Sequence, residues 1–364
     1  MTHARLTVRA IRAVAVEVPM KHALGTSRAV IRAAPLVLVD VETEEGVTGR
    51  AYLFCYVPAA AGAIVSLLTE VERVAKGDPV APLDLWAKLA KRFTLIGVQG
   101  IVRMAMAGFD VACWDALAIA AGEPLCALLG GAPRPIRAYN SNGLGLMATD
   151  KLAKETDELL EGGFKGVKLR LGYDTLAVDI AAVRAVRGRL PSGVELMVDY
   201  NQALSVSEAL ARGRALDAEG VYWMEEPIRH DDYRGAAELA RELATPIQIG
   251  ENFSQPHAME EALRLNACDF VMPDLERIGG VTGWMRAAGL AHAHGREMSS
   301  HLFPEVSAHL LAVTPTAHWL EYVDWAAPLL QEPIAIVEGF ARVADRPGNG
   351  LAWDAAAVER YRMK

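Results

Sequence analysis

Asp199, Glu225, Glu251 and Asp274 each close a short apolar run: LMVDYN, YWMEEP, IQIGEN and FVMPDL. The intervals between them are 26, 26 and 23 residues, and each holds a helix-like stretch such as SVSEALARGRALDAEG. That rhythm is one strand and one helix per carboxylate. In a parallel barrel the strand ends open on one face, so acids at successive strand ends converge. Converging carboxylates repel one another and call for a cation. Asp199, Glu225 and Glu251 offer hard oxygen ligands without thiolate or imidazole, a set that suits Mg²⁺ better than zinc or copper. Asn201, two residues beyond Asp199, points to the same face. There it either positions a substrate oxygen or forms the turn.

Lys168 and Arg170, in GVKLRL, share one strand face by the same alternation. A lysine beside a divalent cation has its charged form disfavoured, so it can act as a base or an acid nearer neutral pH. An arginine stays protonated and is a poor base. His301, in MSSHLF, ends the strand after Asp274. A carboxylate that accepts its Nδ1 hydrogen would fix the tautomer and raise its basicity, which predicts an Asp274–His301 dyad opposite Lys168. Glu321, in WLEYV, ends the last strand; as a protonated acid it would donate to a developing enolate oxygen. His292, His294, His309 and His318 lack such placement and read as helix or loop residues.

These side chains need a scaffold. Residues 5–18 and 35–54 read as strands, the second with a hairpin at Glu45-Gly46. Residues 59–75, 81–93 and 99–121 read as helices. The segment GGAPRP at 130–135 is a Gly/Pro break. Beyond it, IRAYNS, GVKLRL, ELMVDYN, YWMEEP, IQIGEN, FVMPDL, MSSHL and WLEYV alternate with helical stretches, which predicts a (β/α) barrel. A doubly wound open sheet would carry a Gly-rich phosphate loop after its first strand, and GxGxxG is absent. The tail from about 330 lacks the barrel rhythm and is expected to fold back on the first domain.

A chain of 364 residues buries a large core and is expected to form two domains. Its formal charge of -8 speaks against nucleic acid or an anionic membrane as partners, yet leaves room for a local cationic pocket that takes a small-molecule carboxylate. Arg5, Arg9, Arg12 and Glu17 interrupt any signal-peptide core. The uncharged stretch 51–69 is long enough for a membrane span, but Pro58, Gly62, Tyr52 and Tyr56 make it a strand end, a turn and a helix start. Cys55, Cys113, Cys126 and Cys268 are widely spaced without a CxxC pair. They read as reduced, buried thiols of a cytoplasmic protein.

The segments APLVLVDV, KRFTLIG, RMAMAGFDVACWDAL, FKGVKLRLGY, MVDYNQ, WMEEP, MPD, IGGVTGW, MSSHLF and SAHLLAVTPTAHWLE, in this order, resemble the enolase superfamily and within it the mandelate racemase subgroup. The resemblance runs over essentially the whole chain. It implies an α/β fold: a modified (β/α)₇β TIM barrel over 133–329, an α+β capping domain over 1–132 and a tail, 330–364, that packs back on the cap. It implies Mg²⁺ on Asp199, Glu225 and Glu251, and a substrate carboxylate held by Lys168 and Ser141. His301 with Asp274 would move the α-proton, and Glu321 would stabilise the enolate. The superfamily's chemistry of a Lys or His base working with Mg²⁺ is general.

One catalytic position departs from the pattern. The subgroup's motif is Lys-x-Lys, whose second lysine is the base for one enantiomer, and here it is Arg170. Arg277 also replaces a lysine, with its charge kept. A capping-domain flap carrying Leu24 and Ile31, with Phe54, Tyr56, Leu95, Leu302 and Val323 nearby by the same match, implies an apolar wall suited to an aromatic or branched side chain. Arg28 and Arg32 of the flap would face solvent or read a second carboxylate. The implied function is removal of the α-proton of a 2-hydroxy carboxylate, with racemisation or epimerisation as the outcome. The alternative is dehydration with His301 as sole acid/base. The relatives' octamers point to a homo-oligomer.

Overall fold

The computed structural model describes residues 5–363. An antiparallel sheet opens the chain: β1 (Val8–Gly25), β2 (Val30–Thr43) and β3 (Thr48–Phe54), in that spatial order. The β1–β2 hairpin reaches further than the sequence suggests. Its register shifts between Pro19↔Ala33 and Leu24↔Ile31. The irregularity, with Lys21 and His22 in it, breaks the alternation that would mark residues 19–34 as strand.

Helices α1 (Pro58–Ala75), α2 (Pro82–Phe93) and α3 (Gly100–Ala121) cover this sheet, and a short α4 (Leu125–Leu128) follows. Proline sits at the start of α1 and α2, where its missing N–H costs nothing. α3 is long and apolar enough to cross a membrane, but 72% of its apolar window is buried. It packs against β3 on one side and later helices of the barrel on the other, which accounts for its apolar composition. The stretch 51–69 is, as expected, a strand end, a turn and a helix start.

The barrel follows in chain order: β4 (Pro135–Asn140), α5 (Thr149–Leu159), β5 (Gly166–Arg170), α6 (Leu176–Arg187), β6 (Glu195–Asp199), α7 (Val206–Leu216), β7 (Met224–Glu225), α8 (Tyr233–Glu242), β8 (Ile247–Ile249), α9 (Pro256–Arg264), β9 (Phe270–Val271), α10 (Leu275–Ile278), α11 (Gly280–Ala293), β10 (Glu297–Met298), α12 (Pro304–Ala312) and β11 (Leu320–Tyr322). Strands β4 to β10 pair in parallel with their neighbours, and β11 pairs in parallel with β4. Bonds from Ser300 N to Trp319 O (2.9 Å) and His318 N to Met298 O (3.0 Å) join the segment at and just after β10 to the residues leading into β11. The result is a modified TIM barrel with helical connections after the first seven strands. Tyr139, Met197, Trp223 and Trp319 fill its interior.

The tail divides. Its hairpin, β12 (Ile336–Val337) and β13 (Phe340–Arg342), does not reach the first sheet; β13 pairs antiparallel with β4. The free edge of a barrel's first strand below its parallel partners takes such a pair readily. The remainder, ending in α13 (Ala355–Tyr361), does return to the first sheet. Trp353 Nε1 donates to Asp40 (2.7 Å), Asn349 Nδ2 donates to Arg50 O (2.8 Å), and Val16 bridges Arg362. All four cysteines are free and buried.

Candidate active site

Asp199 ends β6, Glu225 ends β7 and Glu251 lies just beyond β8. One oxygen of each falls within 4.8 Å of the others. Burial pushes the carboxyls of Asp199 and Glu225 up, and the neighbouring acids push them further while Lys168 opposes; Glu225 rises to about 8. This is the chemistry of a hard, divalent-cation site: two buried carboxylates and one half-buried one, whose mutual repulsion a cation removes, with no soft donor among them. Mg²⁺ fits that donor set.

The ligands are oriented from behind. Asn201 donates its backbone N–H to Asp199 Oδ1 (2.7 Å) and its amide Nδ2 to Oδ2 (3.0 Å). Asn201 is also the turn, with φ 47°. Its Oδ1 is buried without a partner, so one acceptor remains for a ligand. Trp223 Nε1 donates to Glu225 at 3.1 Å.

Lys168 Nζ lies 2.6 Å from Glu225, 2.7 Å from Glu321 and 3.4 Å from Asp199. Burial alone would lower its pKa, but the three carboxylates overcome this and hold it above the usual lysine value. This upward shift belongs to the cage of carboxylates alone; a divalent cation on the same acids would oppose it. Glu321 changes likewise. Burial would raise it, yet Lys168 and His301 hold it well below the usual range, and Leu302 N (2.9 Å) donates to it. Glu321 is thereby the ion-pair partner of Lys168 in the metal-free cage.

Asp274 caps α10, its Oδ1 accepting from Glu276 N (2.8 Å) and Arg277 N (2.9 Å). Its Oδ2 meets His301 Nδ1 at 2.7 Å. Two fixed bonds on one oxygen leave the other aimed at the imidazole, so the neutral ring of His301 is held with its hydrogen on Nδ1 and its lone pair on Nε2. His301 Nε2 lies 3.3 Å from Glu251 and 3.9 Å from Glu321. Burial lowers its pKa, but Glu251, Glu321 and Asp274 raise it to about 9.

Arg170 is buried. Its Nη1 donates to Ser141 O (2.7 Å) and Gly143 O (2.8 Å), and its Nη2 donates to Ser141 Oγ (3.0 Å). The guanidinium thus binds the loop after β4, and Ser141 stands behind the cavity wall against it.

The cavity, about 240 Å³, is bounded on its apolar side by Leu24, Ile31, Phe54, Tyr56, Leu302 and Trp325. Two residues expected there are absent. Leu95 is 99% exposed, on the loop after α2, and Val323 is buried but does not face the cavity. Trp325 was not foreseen, though a loop following the last strand's end is where such a residue belongs. Arg28 lines the cavity and donates to the carbonyls of Asn201 and Gln202, while Arg32 is exposed. Arg277 donates to Glu251 O (2.9 Å) and stacks over the Tyr56 ring at 4.8 Å.

Comparison with known proteins gives concordant matches. Residues 7–130 match the family model for the mandelate racemase / muconate lactonizing enzyme N-terminal domain, and residues 151–357 match the enolase C-terminal domain-like model. L-talarate/galactarate dehydratase of Salmonella typhimurium is 32% identical over 87% of this chain and 80% of its own length. An enolase from Bradyrhizobium, crystallised with magnesium and mandelic acid, superposes with a TM-score of 0.95 at 40% identity, covering 100% of both chains. A magnesium-bound enolase from alpha proteobacterium bal199 superposes with a TM-score of 0.96 at 48% identity, covering 98% of this chain and 100% of that one.

Proposed function

The chain belongs to the mandelate racemase / muconate lactonizing enzyme family, Mg²⁺-dependent enzymes of the enolase superfamily, and we propose that it removes the α-proton of a 2-hydroxy carboxylate with His301 as the base. The carrying observation is the His301 imidazole, locked at Nδ1 by Asp274 and presenting Nε2 to the carboxylate cage. Bound on Asp199, Glu225 and Glu251, Mg²⁺ would supply Lewis-acid stabilisation as negative charge builds on the substrate carboxylate. Lys168 adds a second positive charge beside it. Each ~1.4 kcal/mol of such differential stabilisation is tenfold in rate. Leu24, Ile31, Phe54 and Trp325 exclude water from the side-chain end of the cavity, which favours an apolar substituent.

The fate of the intermediate turns on Arg170. Its guanidinium is engaged by Ser141 and Gly143 and cannot serve as a base. One-base chemistry supports dehydration. His301 takes the α-proton, the bond to a β-hydroxyl breaks as the carbon–carbon double bond forms, and His301 returns the proton to the departing oxygen, releasing water. Racemisation is the second reading. The apolar wall favours it, as does the 40% identical Bradyrhizobium relative crystallised with mandelic acid. The test is incubation in D₂O with Mg²⁺, using each enantiomer of mandelate and a panel of 2,3-dihydroxy acids. Deuterium in one enantiomer only, with water lost from a dihydroxy acid, supports one-base elimination. Interconversion of both enantiomers with deuterium uptake supports racemisation. No exchange with any of them overturns His301 as the base for this substrate class.

A further inference from the structure

The tip of the β1–β2 hairpin is fastened to the barrel at the turn just after Asp199. Ser27 Oγ donates to Tyr200 O at 3.0 Å. Arg28 Nε donates to Asn201 O at 3.3 Å, and its Nη2 donates to Gln202 O. On the neighbouring loop, Leu146 N donates to Gly25 O at 3.1 Å. The same Asn201 holds both oxygens of Asp199, through its backbone N–H and its side-chain amide. One residue therefore accepts from the hairpin and orients a metal ligand.

That turn needs outside support. Asn201 and Gln202 are consecutive side-chain-bearing residues with φ of 47° and 64°. Such conformations are costly and persist only where surrounding bonds over-determine them. Arg28 supplies two of those bonds. Leu24, Thr26, Arg28, Ala29 and Ile31 line the cavity, so the position of the hairpin also governs access to it.

We propose that Arg28 is a positioning residue that couples closure of the hairpin to occupation of the Mg²⁺ site. An Asp199 fixed by the cation favours the ordered turn, the ordered turn presents the carbonyls that Arg28 binds, and the latched hairpin in turn favours the metal-ready Asp199. Linkage makes the effect reciprocal: whatever Mg²⁺ does to hairpin closure, closure does to Mg²⁺ affinity.

The experiment uses Mg²⁺ alone, so its outcome is independent of which substrate the enzyme takes. Hydrogen exchange of the segment 24–31 is followed with and without Mg²⁺, and Mg²⁺ affinity is measured by calorimetry, on the full chain and its variants. In the wild type, Mg²⁺ slows exchange in the hairpin tip. Arg28→Met removes that slowing and weakens Mg²⁺ binding about fivefold. Arg28→Lys, which still reaches one carbonyl, falls between the two. Should Arg28→Met fail to fold, Ser27→Ala interrogates the same coupling through the adjacent bond. Hairpin exchange indifferent to Mg²⁺ in the wild type, or variants with unaltered Mg²⁺ affinity, would overturn the proposal.

Discussion

An imidazole can take a carbon-bound proton only when it is held in one tautomer and has a partner for the charge it acquires. Asp274 meets both needs because α10 has already used its other oxygen. In His301→Asn the α-proton has no acceptor, and deuterium exchange is expected to fall by about 10²–10⁴-fold, with Mg²⁺ affinity kept. Mass measurement of recovered substrate checks it; full exchange in that variant would remove His301 from the mechanism. Arg170 is the contrasting case. A guanidinium spans Ser141 O, Gly143 O and Ser141 Oγ at once, which a single ammonium on a shorter stem cannot match. Arg170→Lys is therefore expected to lose about 1.5–3 kcal/mol of stability for a charge-assisted bond given up, and to open α-exchange in the enantiomer that the wild type leaves inert. Denaturant melts and exchange assays on both enantiomers read the two effects separately. An enantiomer that stays inert would show that a lysine at this position does not reach the α-carbon.

At the scale of elements, the barrel was legible and the hairpin was not. β7 and β9 are two residues long, too short for periodicity to find, yet Glu225 at the end of β7 and Asp274 three residues beyond β9 mark them, because acids following short apolar runs recur at the spacing of a strand and a helix. The cap's helices were legible from their amphipathic spacing. Residues 19–34 were illegible as strand because what fixes them is tertiary: the bonds of Ser27 and Arg28 to a turn 173 residues away. β12 and β13 were missed because their pairing is with β4, far back in the chain. Leu95 was misplaced because resemblance assigns a position in sequence and says nothing of which way a loop turns. The hairpin's seat can be tested through Gly145. A Cβ there would stand 2.6 Å from Gly25 O and 2.8 Å from Gly25 Cα, closer than atoms approach, and neither partner is a side chain that can yield. Gly145→Ala should lift the hairpin off the barrel and reduce kcat/KM for the exchanging substrate by about 10–100-fold. Unchanged kinetics with unchanged exchange in residues 20–30 would mean that the hairpin's seat is dispensable.

For the whole molecule, the question is what joins the cap to the barrel. Asp110 on α3 accepts from Thr282 N (3.0 Å) and Thr282 Oγ1 (2.6 Å) on α11, and Trp114 of α3 donates to the same hydroxyl (3.0 Å). Burial pushes the Asp110 carboxyl up to about 7, from the 3.8 of a free aspartic acid. Between those two values the folded protein keeps a proton that the unfolded chain has released. Folding there binds a proton, so stability falls as pH rises: the contribution is full below about pH 4 and lost as pH passes about 7. Asp110→Asn removes this dependence while giving up one of the two acceptors offered to Thr282, which costs about 1–2 kcal/mol. The variant should therefore be less stable than the wild type at pH 5, and the gap should shrink by roughly 1–3 kcal/mol by pH 8. Asp115, likewise pushed up to about 7 by burial, titrates in both proteins and cancels from the difference. Denaturant melts at the two pH values decide the matter: a gap that stays constant or widens means that Asp110 is ionised throughout, and that the cap is tied to the barrel by a charged acceptor.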